Sequence, residues 1–187
     1  MLISHKHKFI TIDIPKTGTR TLRESLQPLG VIDVVGQPEW KNFYQHGSIN
    51  DCERGFEERG WDFENYFKFS MVRNPWRRYV SFFLWIKNNE NRKAFSMEDI
   101  IKTYPSQDFY LLKNKNLVID MVGQLEIIET SFSSFCRKVG IKTPPKLQHS
   151  NKSEYKTHYT EYYTQELIDM VAEKEKWMID KFNYNTI

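Results

Sequence analysis

Two short segments of this chain carry the residue types that hold anions. Pro15-Lys16-Thr17-Gly18-Thr19-Arg20-Thr21-Leu22 brings together a lysine, a glycine and three threonine hydroxyls, directly after the apolar run Phe9-Ile10-Thr11-Ile12-Asp13-Ile14. Arg73-Asn74-Pro75-Trp76-Arg77-Arg78-Tyr79-Val80-Ser81 follows a second such run, Phe67-Lys68-Phe69-Ser70-Met71-Val72. Each block reads as strand, loop, helix. A helix start leaves backbone N–H groups without internal partners and carries partial positive charge, which suits phosphate or sulfate. Gly18 lets the backbone come close to an anion, and Lys16 adds a mobile point charge. The lysine precedes the glycine, so the G-x-x-x-x-G-K-[ST] pattern of ATP-binding loops is absent. Two such sites, one per block, suit a ligand with two phosphate-like groups.

Together the blocks resemble the PAPS-dependent sulfotransferases (PAPS is 3′-phosphoadenosine 5′-phosphosulfate), in particular the carbohydrate-type branch. The resemblance implies that Lys16, Thr17, Gly18, Thr19, Arg20 and Thr21 cradle the 5′-phosphosulfate. It implies that Arg73 and Ser81, eight residues apart, hold the 3′-phosphate. Tyr44-Gln45-His46-Gly47-Ser48 matches a segment whose histidine serves as base, which makes His46 the candidate general base. A neutral imidazole suits that task near physiological pH. Lys16 is then the candidate cation on the leaving phosphate. Ser150-Asn151-Lys152-Ser153 resembles a C-terminal loop of the family, so Lys152 and Ser153 are expected at the nucleotide. The segments around 104–109 and 119–126 resemble the family's middle. Gln124, where an arginine is common, and Arg20, where a small hydroxyl residue is common, depart from the pattern. No metal is expected.

The elements that must position these groups follow from periodicity and punctuation. Leu22, Leu26 and Leu29 share a helical face, with Gly30 as its stop. Residues 31–35 suit a short strand, and 36–65 read as partly loop. Asn74 is a good N-cap and Pro75 a good first helical residue. Trp76, Tyr79, Val80 and Phe83 form an apolar stripe, so Trp76 is better read as core than as pocket lining. Arg78 suits either the 3′-phosphate or a structural ion pair. Residues 87–93 are a polar break, best read as a solvated turn. Residues 117–119 suit a strand. Phe132, Phe135, Cys136 and Val139 suit a helix stopped by Gly140, and residues 142–156 a loop. A last helix is expected from near Thr164, with Leu167, Val171, Met178 and Phe182 inward. The expected fold is therefore α/β: a single domain over 1–187, with a small central parallel sheet flanked by helices and a P-loop-like nucleotide-binding core.

Composition supports a globular chain. Its 187 residues are 40% hydrophobic and 15% aromatic, enough for a sizeable core. Lys and Arg (27) barely exceed Asp and Glu (24), which gives no charge signature of nucleic-acid binding. No apolar run is long enough to span a membrane. The first eight residues lack a signal-peptide core and His5-Lys6-His7 reads as a solvated start, so a cytoplasmic enzyme is expected. Cys52 and Cys136 have no metal-ligand spacing and are expected as free thiols. The acceptor is expected to be a saccharide or another small molecule carrying a hydroxyl or amine. Two other readings stay open: a divergent P-loop nucleotide kinase or phosphotransferase, and a non-catalytic nucleotide-binding protein. Kinases need Mg²⁺ to bridge phosphates, so metal dependence separates the first from sulfuryl transfer.

Overall fold

The apolar runs that precede the Lys16 and Arg73 blocks form adjacent strands of one sheet. In the computed structural model, which describes residues 1–33, 45–88, 94–148 and 157–185, β1 (Leu2–Ser4) and β2 (Phe9–Ile12) are followed by α1 (Thr19–Leu26), β3 (Ile32–Asp33) and α2 (Ile49–Glu57). Then come β4 (Phe67–Val72), α3 (Pro75–Lys87), α4 (Met97–Thr103), α5 (Asp108–Leu111), and the short strands β5 (Leu112–Lys113) and β6 (Asn116–Leu117). β7 (Met121–Gln124), α6 (Ile128–Lys138), α7 (Gln165–Lys174) and α8 (Lys176–Phe182) complete the order. The chain forms two compact units, Met1–Val72 with Phe109–Asn151, and Arg73–Asp108 with Lys152–Ile187.

The first unit holds a five-stranded sheet in the order β3-β1-β2-β4-β7. β2 pairs parallel with β4, and β4 with β7, whereas β1 runs antiparallel to both its neighbours. Four strands therefore point one way and β1 alone runs against them. The fold is α/β with a mixed, mostly parallel central sheet and flanking helices. Because β2 and β4 are parallel and in register, Ile12 and Ser70 are opposite each other, and the two strands end at the same edge. The carboxyl end of β2 leads into the Lys16 loop, at the usual edge for ligands in open α/β sheets. The core unites Phe9, Phe69 and Met71 of the strands with Leu22 and Leu26 of α1 and Phe132, Phe135 and Cys136 of α6. Phe69 and Phe135 stack with ring centroids 4.3 Å apart. Burying each such ring is worth about 1.5–3 kcal/mol.

The second unit is helical. Asn74 caps α3 by accepting from the Arg77 N–H at 3.1 Å, and Pro75 takes the first helical position. Trp76, Tyr79, Val80, Phe82 and Ile86 pack with Ile100 and Ile101 of α4 and Val171 of α7. Trp76 is thus core, and its indole N–H donates to the Ile168 carbonyl at 3.3 Å.

Several expectations are revised. Of the segment read as a solvated start, Lys6 is exposed and His5 and His7 are half-buried in a turn. Leu2 to Ser4 are buried as β1, and the His5 ring packs edge-on against Trp61 at 4.5 Å. The strand expected over 117–119 is only the short hairpin β5–β6, and the strand that joins the sheet is β7. β7 lies at the sheet edge and is only partly covered, so it lacks the apolar run that marks a buried strand. The region 36–65 contains α2, opened by a reciprocal capping box of Ser48 and Asp51. The last helix begins after Thr164 as expected but is interrupted at Glu175. Cys52 and Cys136 are buried free thiols, and burial pushes the Cys136 thiol up to about 11. Residues 34–44, most of the 87–93 break, and Lys152 and Ser153 lie outside the described residues.

Candidate active site

The loop from β2 to α1 is shaped by two backbone inversions. Lys16 has φ 70° and Gly18 φ 86°. Left-handed backbone costs an L-residue about 1–2 kcal/mol, so Lys16 holds strain that glycine at that position would not. The Thr17 hydroxyl donates to the Ile14 carbonyl at 2.8 Å and ties the loop across its own turn. Thr17 is thereby buried as an internal brace, while Lys16, Gly18 and Thr19 are half-buried. Gly18 is the N-cap of α1, with no side-chain cap and no acidic residue in the first turn. Most helices satisfy their first N–H groups with a capping side chain. A Cβ on Gly18 would stand 2.7 Å from Leu125 Cδ1. A glycine cap, a cation two residues earlier and no carboxylate in the first turn are what an incoming anion requires. Arg20 is exposed, and its Nε bonds Glu24 Oε1 at 2.7 Å one turn along α1. Thr21 is buried.

His46 is attached to this loop. Its Nδ1 lies 2.7 Å from the Asp13 carbonyl oxygen. A carbonyl only accepts, so Nδ1 carries the proton and Nε2 holds the lone pair. Burial lowers the His46 pKa below its ordinary value, and the Asp13 carbonyl and carboxylate offset this only in part. The neutral, base-competent form is therefore favoured. Asp13 is itself held on several sides. Its carboxylate accepts from Thr11 Oγ1 at 2.9 Å and pairs with Arg23 Nη2 at 2.9 Å and the Met1 amino group at 2.5 Å. These bonds occupy Asp13 as a structural anchor, while Glu24 pairs with Arg20 and Asp51 caps α2. Asp13, Glu24 and Asp51 are thus all engaged in ion pairing or capping.

In the second unit, Arg73 is half-buried at the junction of β4 and α3, and Ser81 is buried on α3. Arg78, from the same block, turns inward. Its Nη1 pairs with Glu175 Oε1 at 2.9 Å with both side chains fully buried, and its Nη2 donates to the Pro105 carbonyl at 3.1 Å. Of the two roles open to Arg78, the structural ion pair is the one found. Burial pushes the Glu175 carboxyl up, and Arg78 and the Gln107 N–H pull it back. Among the described residues, no group of three or more His, Cys, Asp and Glu is arranged to hold a metal ion, and no helix is long and apolar enough to cross a membrane.

A profile for the sulfotransferase family matches residues 1–117, well over half of the chain and inclusive of Lys16, His46, Arg73 and Ser81. The chain belongs to the sulfotransferase family. The solved structure of mouse sulfotransferase SULT7A1 complexed with PAP matches this sulfotransferase with a TM-score of 0.52 and 13% identity, covering 95% of this chain and 89% of that chain. At that identity the likeness is one of fold. A protein of Archaeoglobus fulgidus described as uncharacterized is 28% identical over 86 residues, 42% of this chain and 72% of that protein.

Three residues central to this sulfotransferase's geometry carry no sequence signal of their own. Asp13 lies within an apolar run, and only its carbonyl reveals its part in setting the His46 tautomer. Gln107 and Glu175 are 68 residues apart yet share a hydrogen bond. No local pattern joins them. The capping boxes of α2 and α4 were visible as Ser48-x-x-Asp51 and Ser96-x-x-Asp99.

Proposed function

We propose that this protein is a PAPS-dependent sulfotransferase acting on a hydroxyl or amine of a saccharide or small metabolite, with residues 1–187 working as one catalytic domain. The observation that carries the reading is the His46 Nδ1 contact to the Asp13 carbonyl, which leaves Nε2 as the basic atom of a histidine held at the Lys16 loop. His46 takes the acceptor proton on Nε2 as the acceptor oxygen or nitrogen attacks. Its Nδ1–H keeps donating to Asp13 O, and the nearby Asp13 carboxylate favours the imidazolium that results. PAPS supplies the sulfuryl group: the acceptor–sulfur bond forms as the sulfur–oxygen bond to the 5′-phosphate breaks. Lys16 offsets the charge that develops on the departing phosphate oxygen. The N–H groups at the start of α1 add fixed stabilisation that needs no reorganisation.

In this reading Thr17, Gly18, Thr19, Arg20 and Thr21 form the 5′ loop, of which Thr17 acts by bracing. Arg73 and Ser81 serve the 3′-phosphate, and Lys152 and Ser153 close on the nucleotide. Support comes from the family, the motif spacing and the uncapped, carboxylate-free start of α1. The deciding experiment is transfer of labelled sulfate from PAPS to pooled acceptors in the presence of a metal chelator. Labelled product without divalent metal is expected. A larger thermal shift from ATP with Mg²⁺ than from PAP (3′,5′-ADP), together with no sulfate transfer, would replace this reading with a kinase.

A further inference from the structure

Arg73 stands where β4 has ended and α3 has not begun, so neither ladder nor helix satisfies its backbone. One buried side chain does. Gln107 Oε1 accepts from the Arg73 N–H at 2.9 Å, and Gln107 Nε2 donates to the Arg73 carbonyl at 2.9 Å. A side chain that both donates and accepts at this span is needed, and a primary amide is the group that supplies both. Gln107 is fully buried and is held in turn. Its own N–H donates to Glu175 Oε2 at 3.1 Å, and Glu175 Oε1 takes Arg78 Nη1 at 2.9 Å. The bonds run from Arg78 through Glu175 and Gln107 to Arg73. Two arginines five residues apart in one block are thus tied together, one directly and one through its backbone.

We infer that Gln107, clamped by the Arg78–Glu175 pair, is a positioning residue that sets the direction in which Arg73 leaves the backbone and so sets discrimination for a 3′-phosphate. This rests on the reading of Arg73 as the 3′-phosphate ligand. Hydrogen bonds to both peptide groups that flank one Cα fix the peptide planes on either side of it and so the Cα–Cβ vector. In a positioned site a misplacement of about 1 Å costs up to about a hundredfold. Glu175 interrupts α7 and α8 to place its carboxylate inward, an arrangement the apolar packing of these helices does not by itself call for.

The test is the ratio of 5′-AMP to PAP dissociation constants, measured by calorimetry on the full chain. Gln107→Met keeps the volume and removes both bonds to Arg73. It should lower the ratio about tenfold through weaker PAP binding, with 5′-AMP affinity unchanged. Gln107→Asn keeps the amide but cannot span both groups, and it should lower the ratio in the same direction should the Met variant fail to fold. In an Arg73→Ala background, Gln107→Met or Gln107→Asn should change the ratio no further, because the effect acts through Arg73. An unchanged ratio in the Gln107 variants, with a reduced ratio in Arg73→Ala, would overturn the inference and leave the Arg73 reading intact. Equal losses for both ligands would also overturn it, marking Gln107 as structural only. An unchanged ratio in Arg73→Ala would instead overturn the Arg73 reading on which the inference stands.

Discussion

Gly18→Ala should destabilise the protein more than Gly30→Ala, and the difference measures how closely the Lys16 loop approaches the rest of its unit. Both glycines have left-handed backbone, φ 86° and 68°. At Gly30 a Cβ would meet nothing within 4 Å. Its substitution costs only the backbone strain, about 1–2 kcal/mol, less about 0.4–1 kcal/mol recovered from the unfolded chain, for a net near 1 kcal/mol. At Gly18 the same strain applies, and the new methyl would stand 2.7 Å from Leu125 Cδ1. Overpacking typically costs about 1–3 kcal/mol. The lower part of that range applies here, because the end of a leucine side chain can rotate away. The total is about 2–3 kcal/mol. At about 2–4 °C per kcal/mol for a chain of this size, thermal unfolding should fall by about 4–12 °C for Gly18→Ala and about 2–4 °C for Gly30→Ala. Adding Leu125→Ala removes the colliding methyl, so Gly18→Ala should cost no more than Gly30→Ala in that background. Equal losses from the two single substitutions would refute the close approach. No loss at either site would refute the left-handed conformations themselves.

Three further outcomes follow from the same geometry. His46→Gln, which keeps a donor for the Asp13 carbonyl, should leave PAP affinity unchanged and slow sulfate transfer at saturating PAPS by about 10²–10⁴-fold; unchanged turnover would remove His46 as base. Because the His46 pKa in the fold is lowered from 6.5, its contribution to stability should be complete above that value and be lost as pH falls through the lower folded-state value. The transfer rate should show an acid limb in the same window, absent from the variant in both measurements. Arg78→Met should cost about 3–5 kcal/mol by stranding the Glu175 carboxylate, and adding Glu175→Leu should recover much of it in denaturant titrations; a single-variant loss under about 1 kcal/mol would contradict the buried pair. Lys16→Gly should leave stability within about 1 kcal/mol of the parent, as relief of left-handed strain offsets the freer unfolded chain, while weakening PAP binding and slowing transfer; unaltered PAP binding would detach Lys16 from the anion site.

What the sequence determined by itself was local. The uses of Gly18, of Asn74 with Pro75, of Gly140 and of Thr164 depend on residues within one turn, so a cap or a stop is legible from neighbouring letters. The two strand–loop–helix blocks are legible for the same reason, and their order along the chain is enough to suggest the family. The capping boxes at Ser48 and Ser96 are equally local, each written as Ser-x-x-Asp within one turn. The tertiary structure alone decided the rest. β1 is three residues long, too short to show a period, and is a strand because β2 and β3 pair with it. The proton on His46 Nδ1 is set by a carbonyl 33 residues away. The choice between ligand and ion pair for Arg78 is made by a carboxylate 97 residues away, and the Arg73 backbone is bracketed by an amide 34 residues on. Such partners share no spacing rule. A buried polar group must be satisfied by whatever the packed sheet and helices bring within about 3 Å, and that is a property of the assembled core rather than of any stretch of chain.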